Sequence, residues 1–90
     1  MTQFLVEVFT PHATAAELAA SERRAISAAR RLSGRDLDVR YVRATYIPED
    51  ELCFFVFDAP SGPDAALVAQ RAGLEPIRVV EAVSSTKEEK

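Results

Sequence analysis

Few side chains in this sequence are equipped for chemistry, and most of them fall in apolar, strand-like runs. Glu7 interrupts Phe4–Phe9, and Glu81 interrupts Val79–Val83. On neighbouring strands the two carboxylates would meet on a surface of low polarity, where they share a proton, recruit Arg43 or bind a cation. Cys53 adds a soft ligand, and a mixed oxygen and sulfur set suits a borderline divalent ion such as Ni²⁺ or Zn²⁺. Tyr41, Arg43 and Thr45 alternate along a further strand and would line the same cleft. His12 follows Pro11 in a loop; it is a fourth metal ligand, a general base or a solvated side chain. The competing reading pairs Glu7 or Glu81 with Arg43 and makes Cys53 a small core residue. The sequence holds no C-x-x-C and no H-E-x-x-H, and no catalytic triad assembles without His12. The cleft candidates are therefore Glu7, Tyr41, Arg43, Thr45 and Glu81. The metal candidates are Glu7, Cys53, Glu81 and His12, and no catalytic residue is assigned.

These residues must be positioned by a short chain. Ninety residues make one domain, and 48% of them are hydrophobic, which excludes disorder for most of the length. The net charge of −3 argues against nucleic acid as the main partner, because phosphate neutralisation needs clustered excess Lys and Arg. No apolar run is long enough for a membrane span, and no signal-peptide pattern opens the chain. One cysteine cannot form an internal disulfide, so a reducing cytoplasm is the expected compartment.

Periodicity divides the chain into six elements. Residues 3–9 read as a strand closed by Thr10-Pro11. Thr14 stands three residues before Glu17, the spacing of a capping box. Ala15, Leu18, Glu22, Ala25, Ile26, Ala29 and Leu32 then trace a helical stripe on which only Glu22 is polar. Arg30 and Arg31 suit a helix C-terminus, and Gly34 ends it. Residues 38–47 form a second strand, Pro48-Glu49-Asp50 a turn, and 51–58 a third strand, giving an antiparallel hairpin. Ser61 or Gly62 caps a second helix that Gly73 ends, and 75–83 form the last strand. The polar segment 84–90 is expected to be a frayed tail behind a single domain of residues 1–83.

The order βαββαβ is the ferredoxin-like split unit: α+β, a four-stranded antiparallel sheet with both helices on one face. Strands one and three are central. Alternation assigns Phe4, Val6, Val8, Val42, Ala44, Tyr46, Phe54, Val56, Val80 and Ala82 to the helix side. Leu5, Phe9, Phe55, Phe57, Ile77, Val79 and Val83 are then left on the uncovered face, beside Glu7, Tyr41, Arg43, Thr45, Cys53 and Glu81. Leaving seven such apolar side chains in water forfeits on the order of 10 kcal/mol, and a patch of that kind marks an interface. The expectation is a homodimer packed sheet to sheet through that face, or the same pair closed into a shared barrel of the dimeric α/β kind; the alternative is that the tail or the second helix covers part of the face.

Several segments resemble a known family. The opening F-L-V-E-V-F, the helix start T-A-A-E-L-A-A, the hairpin V-R-Y-V-R-A-T-Y-I-P-E-D-E, the strand C-F-F-V-F-D-A-P-S and the close R-A-G-L-E-P-I-R-V-V-E-A-V look like the bacterial family called domain of unknown function 4242. The likeness runs from Phe4 to Val83. It implies a dimeric ferredoxin-like fold, and members have been described as nickel-binding or nickel-responsive. Glu7 and Glu81 match the family's acidic positions in strands one and four. Cys53 matches the first of two cysteines spaced by one residue, and the second position is Phe55 here. Gln70 stands where relatives have His or Asn, and Pro11-His12 where Pro-Gly is usual.

Three functions remain open from the sequence. The leading expectation is a small cytoplasmic homodimer that holds a divalent metal of the nickel type, or a small ligand, in a cleft at the sheet interface. The second is a cofactor-independent or haem-using monooxygenase of the dimeric α/β-barrel kind, compatible in fold order alone. The third is a regulatory or assembly module without a ligand. Phe55 and Phe57 also fit the aromatic positions of an RNA-recognition strand, but the basic-Gly opening is missing and the chain is acidic.

Overall fold

Two periodicities, every second residue in strands and every third or fourth in helices, decide which side chains this chain can bury together. The computed structural model describes residues 2–34 and 37–83. They form β1 (Thr2–Phe9), α1 (Ala15–Leu32), β2 (Arg40–Ile47), β3 (Leu52–Ala59), α2 (Gly62–Arg71) and β4 (Pro76–Ala82). The sheet order is β2-β3-β1-β4 with every pairing antiparallel. This is the expected ferredoxin-like βαββαβ sandwich, with β1 and β3 in the centre. The tail expected at 84–90 lies outside the described residues. No helix among the described residues is long and apolar enough to cross a membrane.

Local chemistry sets the helix ends. The Thr14 hydroxyl accepts from the Glu17 N–H at 3.1 Å, and the Thr14 N–H donates to the Glu17 carboxylate at 2.9 Å, so two orphan donors are satisfied reciprocally. At the other end Ser33 caps α1 and its hydroxyl bonds both the carbonyl and the N–H of Val39. That link turns the chain from α1 toward β2. Ser61 caps α2 by accepting from the Asp64 N–H at 3.3 Å, with Pro63 in the first turn where its missing N–H is harmless. Gly73, at φ +82°, reverses the chain after α2 in a conformation that L side chains rarely adopt.

The core lies between the sheet and the two helices. Phe4, Val6 and Val8 of β1 meet Ala25, Ala28 and Ala29 of α1 and Ala65, Val68 and Ala69 of α2. Alanine at these helix positions lets the helices approach the large strand side chains closely. Among the described residues no polar or charged side chain is fully buried.

The register corrects the expected faces of two strands. Phe4, Val6 and Val8 pair with Phe57, Phe55 and Cys53, and directly paired residues share a face. Cys53, Phe55 and Phe57 are therefore under the helices, and Leu52, Phe54, Val56 and Asp58 are on the uncovered side. In β4 the same logic puts Val79 and Glu81, opposite Val6 and Phe4, on the helix side. Arg78, Val80 and Ala82, opposite Glu7, Leu5 and Gln3, are on the uncovered side. Ile77 is an extra residue in a bulge where β4 meets Glu7 and Val8. A second bulge corrects Tyr41. Tyr41 pairs with Phe57 and Arg43 with Val56, so Val42 is the inserted residue and Tyr41 turns toward the helices. Ala44 and Tyr46 face the helices and Arg43 and Thr45 the uncovered side, as the alternation predicts.

Candidate functional site

The uncovered face takes side chains from all four strands. Leu5, Val56, Phe54, Leu52, Ile47, Val80 and Ala82 form an apolar field around one charged pair. Glu7, on central β1, accepts from Nε of Arg78 on β4 at 2.7 Å. The Glu7 side chain is only 12% exposed, whereas Arg78 is 66% exposed. The antiparallel register sets the two opposite each other, and the adjacent bulge at Ile77 bends the edge strand there. Arg43, Thr45 and Asp58 stand on the same face toward its other edge. Phe9, at the end of β1, keeps 55% of its surface exposed.

The expected metal set is not brought together within one chain. Glu7 lies on the uncovered face, and Glu81 lies on the opposite face of the edge strand, exposed to solvent. Cys53 is 1% exposed beneath the helices. Burial first, and then the nearby carboxylate of Glu22, push its thiol up to about 11. Beneath the helices, on the opposite face from Glu7, the thiol is out of reach of an ion bound at the uncovered face. His12 sits in the β1–α1 loop, with its N–H donating to the Glu51 carboxylate at 3.1 Å and its ring 3.6 Å from the same oxygen. Among the described residues no group of three or more His, Cys, Asp or Glu side chains is arranged to hold a metal ion.

Of the cleft candidates, Glu7, Arg43 and Thr45 share the uncovered face, and Tyr41 and Glu81 do not. Tyr41 instead donates its hydroxyl to Glu22 of α1 and packs edge-on against Phe57 with ring centroids 5.6 Å apart. Its ionisation is raised far above the ordinary tyrosine value by burial, then by the hydrogen bond and charge of Glu22. Two participants were not singled out as site residues from the sequence. Arg78 carried no distinguishing pattern. Glu22 did carry one, as the single polar residue on the apolar stripe of α1.

No family model matches the chain, and no curated protein matches it. Among solved structures it is similar to the protein SCO4226 of Streptomyces coelicolor A3(2), with a TM-score of 0.77 and 18% sequence identity. The likeness covers 93% of this chain and 99% of that one. At such identity it shows the shared fold alone.

Proposed function

We propose that the protein works as a homodimer in which two sheets pack through their uncovered faces, with the Glu7–Arg78 pair as the polar centre that holds a small ligand or divalent cation. The observation that carries this reading is the makeup of the face: among the described residues, apolar side chains from all four strands surround the Glu7–Arg78 ion pair, 2.7 Å long. The corrected registers leave Leu52, Phe54, Ile47 and Val80 half-buried on this face in place of Phe55, Phe57 and Val79, with Val56 already buried among them, so the face keeps an apolar character that suits a partner. An exposed ion pair contributes at most about 1 kcal/mol. Enclosed between two sheets, the same pair gains strength and becomes a fixed polar handle for a ligand.

A second copy suits the face because a two-fold axis sets like against like, and an apolar field is complementary to itself. A cation at this centre would draw on Glu7 from both copies, since Cys53, Glu81 and His12 stand elsewhere. The same proposal places the chain with the bacterial family of domain of unknown function 4242, in the cytoplasm, on the segments quoted above.

Light scattering behind size exclusion at micromolar concentration tests the assembly. A mass of roughly 20 kDa, twice the 9.9 kDa of one chain, is expected; a single-chain mass overturns the dimer. Calorimetry with Ni²⁺ and Zn²⁺ on untagged protein tests the cation. Heat that Glu7→Gln abolishes supports the Glu7 centre, and heat that survives the substitution removes the cation from it.

A further inference from the structure

The basic residues of this acidic chain are unevenly spread. A cleft of about 350 Å³ runs between α1 and the β2 edge, with Ile26, Ala29, Val39 and Tyr41 in its walls and Arg30 on its lining; Arg40 borders it from a position paired with Asp58 of the uncovered face. A second depression continues it along α1, sharing Ile26 and Arg30 and adding Arg23 and Arg31. Arg23, Ile26, Arg30 and Arg31 fall at helical spacings of three, four, seven and eight, and so share one face of α1. No Asp or Glu stands three or four residues from Arg23, Arg30 or Arg31, so their charges have no intrahelical counterpart. The helix dipole favours Arg30 and Arg31 at the C-terminus of α1. It does not account for Arg23.

We propose that this groove binds a small amphipathic organic anion, its carboxylate held by Arg30 and its apolar body lying along Ile26 and the Tyr41 ring, above the buried Ala29 and Val39. The volume falls in the range of small-molecule sites. The polar atoms of the wall point to the ligand's character. The Tyr41 hydroxyl is engaged by Glu22, and the Ser33 hydroxyl by both the carbonyl and N–H of Val39. Both hydroxyls are thus committed within the fold, and the side-chain chemistry left on the lining is apolar surface and guanidinium. Guanidinium binds carboxylate in a planar fork and tolerates a partly apolar setting better than an ammonium does. A ligand rich in hydroxyl groups would leave them unsatisfied here, whereas one with a single charged head and a hydrocarbon body would not. The Glu22 bond also holds the Tyr41 wall in place before any ligand arrives, which lowers the ordering cost of binding. The groove lies on the helix side of the sheet, away from Glu7, and is independent of the dimer.

Octanoate and its neutral counterpart octanamide are the probes, followed by amide chemical shifts of the full-length protein. Octanoate is expected to shift Ile26, Ala29, Ser33, Val39 and Tyr41 saturably, and octanamide to bind at least ten-fold more weakly. The Arg30→Gln variant is expected to weaken octanoate at least ten-fold, while Arg43→Gln on the other face leaves it unchanged. Equal binding of the two probes, or octanoate shifts centred on Leu5, Phe54 and Val80, would overturn the assignment.

Discussion

The Tyr41 hydroxyl donates to the carboxylate of Glu22, tying the edge strand β2 to α1 across nineteen residues of sequence. The bulge at Val42 makes this contact available by turning Tyr41 under the helix. A hydrogen bond to a charged group is worth roughly 1.5–3 kcal/mol. Tyr41→Phe is therefore expected to lower stability by about 1–3 kcal/mol in urea unfolding. Glu22→Gln, which keeps an acceptor, should lose less. A double-mutant cycle on Tyr41→Phe and Glu22→Ala isolates the pair; additive losses would show that the two side chains do not interact.

Alkaline stability follows from the same corner of the fold. The folded state holds the protons of Cys53 and Tyr41 more tightly than the unfolded chain does, so rising pH favours unfolding. Their contribution is intact below about pH 9 and declines as Cys53 passes from its ordinary value of 9.0 toward about 11. Tyr41 extends the decline upward from its ordinary value of 10.0. Urea midpoints between pH 7 and 11 should fall along this course. Cys53→Ala should flatten the early part, and an unchanged slope would contradict the assignment.

Neighbouring phenylalanines on β3 should behave as opposites. Phe55 is wholly buried under the helices, and Phe55→Ala is expected to cost about 3–5 kcal/mol through loss of burial and a cavity. Phe54→Asp, on the uncovered face, should leave the fold intact and shift the proposed dimer toward single chains. Circular dichroism with light scattering separates the two outcomes; unfolding by Phe54→Asp alone would reverse the face assignment.

The start of α1 makes a smaller and sharper test. Thr14→Ala removes the acceptor for the Glu17 N–H and should cost about 1 kcal/mol. Glu17→Ala, losing only the return bond to Thr14, should cost less, both read from thermal unfolding.

Element order and the helix caps were legible because each has a local cause. Thr14 with Glu17, Ser61 with Pro63, and the two glycines at positive φ all act within a few residues. Strand faces were less legible, because Leu52–Phe57 is apolar throughout and supplies no alternation to read. Asp58 was the available clue: its parity places Phe54 and Val56 outward with it. In β4, Arg78 has the same value for Val80 and Ala82. The bulges at Val42 and Ile77 leave no signature in composition, and each shifts the parity of its strand. The metal set expected from Glu7, Cys53 and Glu81 depended on the faces of β3 and β4, and its dispersal follows from the missing alternation in those two strands. His12 illustrates the converse, since its φ of +52° is a conformation that usually selects glycine, and nothing in the residue type announces it.

Those two bulges also bear on how the sheet can grow. Both lie on outer strands, where a row of backbone groups would otherwise invite another strand to add alongside. β2 carries its extra residue between Arg40 and Arg43, and β4 opens with Pro76 and carries Arg78 and Glu81. An inserted residue, a proline and a set of charges each spoil the continuous ladder that lateral growth requires. Edge-to-edge polymerisation is thereby disfavoured at both margins. The proposed stacking of faces, by contrast, would close after two copies instead of propagating into a fibre.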